Sequence, residues 1–473
     1  MAASLALAAC GESTKVIGAG GAGGAAVGIG DTLTCALQPT GTWITMSTAG
    51  APIANPTPGL FWTGSDLYSY HNPGLAPANG AAFYAPCSDT WRASPAPAAH
   101  EQYTAPIPDA GLLLFFGPTW TPPMFVGLDY RKNLQPNLSL TGAVQADFAA
   151  IASTGAKLIA WGGAIPKTLP EQTGWNGTQY GAIYDPARDS WQAMTTVGAP
   201  AARVAPAVWT GSSFVVWGGS SADTYMKGQY RYDCATSAHA DLGNDCTVFG
   251  DGAIYDPARD AWTAMNAAGA PRARFDHLIA WAGDRVLIWG GGQQGTPDPV
   301  LLTPAKQWLS DGGLYDPASR IWTATATAPL PVSGFELSAY WQHWTGDRLA
   351  VGPNGSASGW LYDPHKDRWS TLTAPADFGG SCERFAPQAG ALVALCRIAQ
   401  QRSVLLLLPG ETDWRTYPLP SGVPTAPGML WTGKRLFIWG GTVASSFVCP
   451  PSSQVGCDPP PPVYSNAGWV LVP

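Results

Sequence analysis

The chain has 473 residues, of which 56 are glycine and 44 are proline, and only 12 % are charged while 11 % are aromatic. Frequent glycine and proline interrupt helices and aromatic residues favour strands, so a helical bundle or coiled coil is excluded, and 46 % hydrophobic residues argue against intrinsic disorder. The formal net charge of −7, spread over this length, leaves no basic patch for nucleic acid and no polybasic membrane surface.

The first ten residues resemble the signal of a bacterial lipoprotein. A short apolar run over residues 2–9 ends in Leu7-Ala8-Ala9-Cys10, and small residues before such a site suit a signal peptidase. No Lys or Arg precedes the run, which leaves the translation start open. We expect Cys10 to carry the lipid, residues 1–10 to be a signal remnant and residues 11–41 to form a Gly/Ala-rich tether.

This interpretation places the chain outside the cytoplasm, lipid-anchored at the bacterial cell envelope (outer membrane or cell surface) or periplasmic, with membrane contact only through the lipid. Eight cysteines remain besides Cys10, and an even number suits an exported, oxidised protein. None shows the CxxC spacing of zinc or redox sites. Proximity in sequence and the remainder predict the disulfides Cys234–Cys246, Cys382–Cys396, Cys449–Cys457 and Cys35–Cys87.

One phrase recurs along the chain and predicts a β-hairpin in each copy. A clear example is GAIYDPARDSWQAM at 181–194, and in every copy a Trp follows a Tyr by seven residues. Asp-Pro followed by small or polar residues suits a tight turn, because proline presets φ and the Asp carboxylate can bond backbone N–H groups beyond it. We therefore predict that the Tyr ends one strand and the Trp begins the next. The pairs are 84/91, 184/191, 255/262, 315/322 and 362/369.

A second phrase is an apolar run closed by two glycines, as in LIAWGG at 158–163. Such runs predict buried strands whose exit needs special backbone dihedrals. Turns of the type Trp-Thr-Gly lie just before them, and the turn glycines mark the repeat. They are Gly64, Gly111, Gly155, Gly211, Gly283, Gly346, Gly390 and Gly433.

Four short strands per unit, a double glycine after the second and the Tyr and Trp around the third and fourth resemble the Kelch repeat of the galactose-oxidase-like β-propellers. The resemblance covers nearly everything from residue 42 and implies an all-β, Kelch-type β-propeller over residues 42–473. We count eight four-stranded blades, with seven as the alternative because the unit at 103–141 is degenerate and has Leu134 where Trp is expected. The last unit stops after its third strand, so we predict that residues 41–48 supply the fourth and close the ring.

The long loops between second and third strands predict a binding face, because irregular loops on a rigid scaffold are where binding usually resides. The largest is a disulfide-stapled insertion at 220–250. A contact surface is the preferred interpretation, and a merely stabilised insertion is the alternative. The candidate contact residues are Tyr225, Tyr230, Arg231 and Tyr232.

Register predicts a second candidate site at the mouth of the central channel. The residue about eight positions before each turn glycine should begin the innermost strand there. Arginines beside carboxylates could hold an anionic sugar or an acidic peptide, because a guanidinium matches a carboxylate. The alternative is a collar of Arg–Asp or Arg–Glu pairs that braces adjacent blades. The candidates are Tyr103, Asp147, Arg203, Arg274, Glu336 and Arg384.

These patterns favour a monomeric, non-catalytic module that binds a protein or glycan ligand at the long-loop face. None of the six histidines has a metal-ligand spacing, so no metal or other cofactor is expected. The alternative is an enzyme similar to the sialic-acid mutarotases, with Arg203, Arg274 and Arg384 on the sugar carboxylate. Glu336 or Asp147 would then move protons. A copper-radical oxidase is less favoured, since only Tyr70-His71 resembles part of its copper centre.

Overall fold

Eight small sheets follow one another along the chain and surround a central channel. The computed structural model describes residues 15–16, 29–35, 40–53, 58–70, 80–95, 103–116, 126–144, 146, 149–166, 175–221, 225–227, 230–232, 247–297, 304–330, 340–388, 390–443 and 463–473. Apart from a 3₁₀ turn at Pro108–Ala110, every regular element in these ranges is a strand. The predicted all-β propeller with eight blades is therefore confirmed, and the seven-bladed alternative is wrong.

The strands of each blade are numbered from the channel outwards, and the blades are numbered along the chain. Blade 1 consists of Gly59–Trp62, Leu67–Tyr70, Ala82–Ala85 and Thr90–Ala93. Blade 2 contains Tyr103–Ile107, Leu112–Phe116 and Val126–Asp129. Blade 3 consists of Ala150–Ser153, Leu158–Trp161, Gly181–Asp185 and Ser190–Ala193. Blade 4 consists of Ala207–Trp209, Phe214–Trp217, Gly252–Asp256 and Ala261–Ala264.

The remaining blades have the same order. Blade 5 consists of Leu278–Trp281, Val286–Trp289, Gly312–Asp316 and Ile321–Ala324. Blade 6 consists of Tyr340–Trp344, Leu349–Pro353, Gly359–Asp363 and Arg368–Leu372. Blade 7 consists of Phe378–Gln388, Ala391–Ile398, Gln401–Leu407 and Arg415–Pro418. Blade 8 consists of Gly428–Trp431, Leu436–Trp439, Gly468–Val472 and Thr42–Thr45.

The N-terminal strand closes the ring as predicted. Thr42–Thr45 pairs antiparallel with Gly468–Val472, so the C-terminal blade takes its outer strand from the other end of the chain. The indole Nε1 of Trp43 donates to the carbonyl of Pro418 in blade 7 at 2.8 Å, which joins the completed blade to its neighbour. This arrangement removes the open sheet edges that a linear array of blades would leave.

Blade 2 departs from the pattern, as its degenerate sequence indicates. Leu134 forms only an isolated bridge with Asp129 where the other blades have an outer strand. Lys15–Val16 pairs parallel with Tyr103–Ile107 on the channel side and provides the fourth strand of this sheet. A strand from the N-terminal region thus covers the inner edge of blade 2.

The recurring Tyr, Asp and Trp form a latch between neighbouring blades. In blade 4 the Tyr255 hydroxyl donates to Asp260 at 2.7 Å, and Asp260 also accepts the N–H of Thr195, which follows blade 3. The Trp262 indole donates to the Thr195 carbonyl at 2.9 Å. The same three bonds occur in blades 1, 3 and 6. Each Tyr is paired across the hairpin with its Trp, as predicted.

The predicted turns also have the expected backbone. All eight turn glycines have φ between 67° and 102°, a region in which a Cβ would be strained. The Asp of each Asp-Pro turn accepts N–H groups two or three residues later, as Asp256 does from Ala258 and Arg259. The recurring Asp is therefore a turn residue.

Two of the four predicted disulfides are confirmed. Cys382–Cys396 links paired first and second strands of blade 7, and Cys35–Cys87 ties the N-terminal segment to the outer hairpin of blade 1. Cys234–Cys246 and Cys449–Cys457 lie outside the described residues, as does Cys10. Structural disulfides indicate an oxidising environment.

Within the stretch predicted to be a tether, residues 29–35 pack against blades 1 and 8. Asp31 is buried and accepts hydrogen bonds from the Thr432 hydroxyl and the Arg435 guanidinium. Thr32 bonds the carbonyl of Gly64 through both its backbone N–H and its hydroxyl. This segment joins the turns of the last and first blades.

Candidate functional site

The two faces of the ring differ in their connections. The tight-turn face carries the short turns between first and second strands and between third and fourth strands. The long-loop face carries the connections between second and third strands and between successive blades. Four of the connections between second and third strands contain a two-stranded ribbon that extends the loop. The ribbons are Ala164–Pro166 with Trp175–Gly177, Tyr225–Lys227 with Tyr230–Tyr232, Gly292–Pro297 with Pro304–Trp308, and Thr442–Val443 with Val463–Tyr464.

Most of the large apolar side chains that the described residues expose lie on the long-loop face. Six of eight belong to its connections: Ile53, Leu140, Ile165, Val197, Val443 and Val463. The other two, Leu134 and Ile321, lie next to tight turns. Val443 and Val463 are cross-strand partners in the blade 8 ribbon. The six side chains belong to several connections around the ring, and Val443 and Val463 form an adjacent pair among them.

Arg203 is fully buried immediately before the first strand of blade 4. Its guanidinium bonds the Asp251 carboxylate at 2.8 Å and lies 3.7 Å from the centre of the Phe249 ring. Its Nε donates to the carbonyl of Ala201 at 2.8 Å. Each of these contacts is made within the chain, so the guanidinium does not face an open site.

Arg274 occupies the equivalent position before blade 5 and is also fully buried. It bonds the Asp311 carboxylate at 2.7 Å and the carbonyls of Asp311 and Gly290 at 2.8 and 2.9 Å. Arg272 binds the other oxygen of Asp311 at 2.9 Å. Burial lowers the pKa of Arg274, and although burial opposes it, the two arginines hold the pKa of Asp311 below its usual value.

Both arginines join neighbouring blades through their backbones. The carbonyl of Arg203 accepts the N–H of Gly163 from blade 3, and that of Arg274 accepts the N–H of Gly219 from blade 4. These are second glycines of the double-glycine phrase. The guanidinium of each arginine bonds an Asp of the blade that follows it, so these two ion pairs lie within one blade and do not brace adjacent blades as the collar prediction describes.

The partners Asp251 and Asp311 were missed by sequence reasoning, yet a signal exists. Each directly precedes the glycine that begins a third strand, in GDGAIYDP and SDGGLYDP. The equivalent residues in blades 3 and 6 are Tyr180 and Ser358. An Asp at this position is therefore found in blades 4 and 5, the two blades that are each preceded by a buried Arg. Their carboxylates are 62 % and 48 % exposed, so the acidic side of each pair faces solvent.

Of the other predicted ring residues, only Arg384 has a side chain within the described part of the chain. Arg384 lies in the first strand of blade 7 and donates to the carbonyl of Pro427 at 3.1 Å, and burial lowers its pKa. Tyr103 begins the first strand of blade 2, but its side chain lies outside the described residues. Asp147 and Glu336 lie outside them entirely.

The predicted contact loop contains a short hairpin. Tyr225–Lys227 pairs with Tyr230–Tyr232, so Tyr225, Tyr230, Arg231 and Tyr232 share one ribbon of the long-loop face. Their side chains, and most of residues 222–246, lie outside the described residues. Their role as a contact surface stays a prediction.

Two histidines lie in or next to the blade cores. His277 is buried between blades 4 and 5, with its ring 5.4 Å from that of Trp217, and neither ring nitrogen has a hydrogen bond of standard geometry. Burial, followed by the charge of Arg274, lowers its pKa to about 3. Burial lowers the pKa of His343 in blade 6 to about 4.

Within the described ranges, no three His, Cys, Asp or Glu side chains are grouped so that they could hold a metal ion. His71, which with Tyr70 resembles part of a copper centre, lies outside those ranges. The described part of the chain also contains no helix long and apolar enough to cross a membrane.

Comparison with known proteins adds little. No protein-family model matches the chain. The chain is 28 % identical over 130 residues to "Acyl-CoA-binding domain-containing protein 4" of Arabidopsis thaliana. That match covers 24 % of this chain and 17 % of the relative, so the chain spans less than a fifth of the relative's length.

Proposed function

We propose that the chain is an exported, surface-anchored Kelch-type propeller that acts as a non-catalytic binding module for a protein or glycan, with the ligand on the long-loop face. The observation that carries the proposal is the asymmetry of the two faces. One face has tight turns and the segment 29–35 that joins two of them, whereas the other has four ribbons and six of the eight large apolar side chains exposed among the described residues. Rigid blades that present extended loops are a common binding architecture.

The state of the arginines supports binding over catalysis. A mutarotase-like site would need Arg203 and Arg274 to reach a sugar carboxylate, but both are buried and their guanidinium groups bond Asp251, Asp311 and main-chain carbonyls. An enzyme site would also need polar groups that converge on one pocket. The two ion pairs instead occur in separate blades.

The Kelch assignment rests on the double glycines and on the Tyr–Trp spacing, whose side chains form the latches. Export rests on the lipobox at Cys10 and on the two disulfides. Incorporation of labelled palmitate into the wild-type chain, and its loss in Cys10→Ser, would test the anchor.

The face assignment can be tested with matched charge insertions. Val463→Glu changes a 59 % exposed side chain on the long-loop face, and Ile321→Glu changes a 58 % exposed side chain near a tight turn. We expect Val463→Glu to weaken retention on a glycan array or cross-linking to an envelope protein by about tenfold, the scale of an interface residue that matters. Ile321→Glu should leave both unchanged. Equal loss in both variants, or loss only in Ile321→Glu, would contradict the proposal.

A further inference from the structure

The described residues of blades 5 and 6 line an open cavity of about 330 Å³ on the outer flank of the ring. One wall is the connection between the blades, with Thr327 and Pro329, and the other is the outer half of blade 6, with Trp360, Trp369 and Thr371. Its size falls at the lower end of the range of small-molecule sites. No ion pair or latch of the propeller requires an opening there.

Blade 6 differs from its relatives at a residue that lines this cavity. Trp360 stands two residues before the recurring Tyr, where blades 1, 3, 4 and 5 have Ala82, Ala182, Ala253 and Gly313. The three alanines are buried, so the position normally holds a small side chain inside the blade interface. Trp360 is instead only half-buried and presents part of its indole to the cavity.

The connection before blade 6 also departs from the repeat at a residue that lines the same cavity. In each latch the Trp indole binds the carbonyl of a residue in the preceding connection. For blades 1, 3, 4 and 5, the third residue after that one is a glycine with φ between 76° and 82°, and this glycine packs on the Trp backbone. These glycines are Gly50, Gly142, Gly198 and Gly269. In blade 6 the same place holds Pro329, which cannot adopt a positive φ.

The proline changes the turn. The four glycine connections each close with a backbone hydrogen bond, for example from the Ala199 N–H to the Thr196 carbonyl at 3.2 Å. Among the described residues of blade 6, Leu330 does not make the corresponding bond to Thr327. A connection that cannot fold down on the outer Trp leaves space beside it. The two departures together therefore account for the cavity.

The lining favours a sugar ring over other small ligands. Two indoles offer flat apolar surfaces, and the indole N–H of Trp369 is already bonded to the Ala326 carbonyl. The polar residues Thr327, Ser370 and Thr371 also line the cavity. A pyranose matches this pattern, since one face exposes C–H groups that pack on an aromatic ring while its hydroxyls bond polar neighbours. Asp367 and Arg368 contribute one charge of each sign, so the lining has no net charge that would favour an ionic ligand.

From these observations we infer that the cavity between blades 5 and 6 is a saccharide subsite that receives one pyranose unit of a glycan against Trp360. The inference rests on the proposed binding role and specifies its ligand class, because the connection that forms one wall belongs to the long-loop face. Trp360 is the positioning surface, and Pro329 keeps the cavity open.

The test uses two variants that restore what other blades contain. Trp360→Ala installs the alanine of blades 1, 3 and 4, and Pro329→Gly installs the turn glycine, so both are compatible with the fold. The full chain is screened on an array of glucose-, galactose-, mannose- and N-acetylglucosamine-containing oligosaccharides, and the best one is titrated calorimetrically. Ile321→Ala, next to a tight turn of blade 5, is the matched control because Ile321 is 58 % exposed and lies outside the long-loop face.

We expect an array oligosaccharide to bind the wild type, about tenfold or greater weakening in Trp360→Ala, weakening in Pro329→Gly, and no change in Ile321→Ala. Circular dichroism should show that both blade 6 variants are folded at the temperature of the titration. Retention of no oligosaccharide, or undiminished binding by Trp360→Ala, would overturn the subsite. The proposed binding function would still hold after either result if Val463→Glu impaired capture of a protein ligand and the blade 6 variants did not. Failure of the saccharide subsite and failure of the proposed function are therefore distinguishable.

Discussion

Single side chains hold the connections to the blades that follow them, as the buried guanidinium groups of Arg203 and Arg274 do. Arg274 donates to three main-chain carbonyls and to the Asp311 carboxylate, so Arg274→Ala would remove four side-chain hydrogen bonds. Removing one partner of a buried ion pair costs about 3–5 kcal/mol, and the half-exposed Asp311 places the expected loss at the lower end.

Arg272→Ala is the matched control for that prediction. It touches the same carboxylate, but its side chain is 58 % exposed and the pair lies at the surface. Exposed pairs contribute about 0–1 kcal/mol. Urea denaturation should therefore separate the two variants clearly. A stable Arg274→Ala protein that had lost binding would contradict the structural role.

The latch of blade 5 lacks its carboxylate, which gives a stabilising prediction. Arg320 has φ 60° where the other latches have an Asp, and Tyr315 has no carboxylate partner there. Arg320→Asp should provide an acceptor for Tyr315 and for the N–H of Asn266, and Asp tolerates positive φ better. We expect about 1 kcal/mol of added stability from the new hydrogen bonds. Asp260→Ala should lose a similar amount, and a melting temperature that falls in Arg320→Asp would refute the latch geometry.

His277 makes stability depend on pH. Its pKa is about 3 in the folded chain, against about 6.5 in the unfolded chain. Between these values the unfolded state binds the proton, so the contribution is complete above pH 6.5 and is lost as the pH falls towards 3. The loss approaches about 1.4 kcal/mol per pH unit for one such group.

The pH dependence can be assigned by substitution. Urea denaturation from pH 7 to pH 4 should show a shallower slope for His277→Gln than for the wild type. His365→Gln is the control, because His365 is exposed and faces Asp284 at 3.7 Å. A slope unchanged by His277→Gln would show that His277 is not buried in its neutral form.

At the scale of elements, the outer strands depend on the Trp at their start. Trp262 is 8 % exposed and its ring lies 5.0 Å from Tyr255 and 5.6 Å from Trp161. Trp262→Ala should cost about 3–5 kcal/mol, the range for a buried aromatic side chain. Trp43→Ala in the closing strand should cost less, since Trp43 is only half-buried. A loss below about 1 kcal/mol in Trp262→Ala, measured by urea denaturation, would show that the Trp does not anchor the blade.

The elements also show why some features could be predicted and others could not. The Tyr–Trp spacing fixes the hairpin register, because a strand pair with a constant turn has one alignment. The partners of Arg203 and Arg274 escaped prediction, because Asp251 and Asp311 lie 48 and 37 residues away along the chain, beyond long loops. The pairing of Lys15–Val16 with blade 2 has no repeat signal, and the cavity beside Trp360 depends on a connection that departs from the repeat.

At the scale of the whole molecule, closure of the ring by Thr42–Thr45 could be predicted because the last unit is one strand short. This strand pairs with Gly468–Val472 in blade 8. Residues 29–35, which the sequence analysis assigns to a tether, strengthen that junction through Asp31 and through the Cys35–Cys87 disulfide. A ring closed in this way leaves two faces, and the central claim is that the long-loop face holds the ligand.

Lysine acetylation measures that claim most directly, because lysines lie on both faces. Lys227 and Lys306 are in the ribbons of the long-loop face, whereas Lys132, Lys157 and Lys434 are at tight turns. Acetylation of the full chain is compared by mass spectrometry with and without its retained glycan or captured protein. The account predicts that the ligand slows acetylation of Lys227 or Lys306 and leaves the three tight-turn lysines unchanged. Protection confined to Lys132, Lys157 and Lys434 would contradict it.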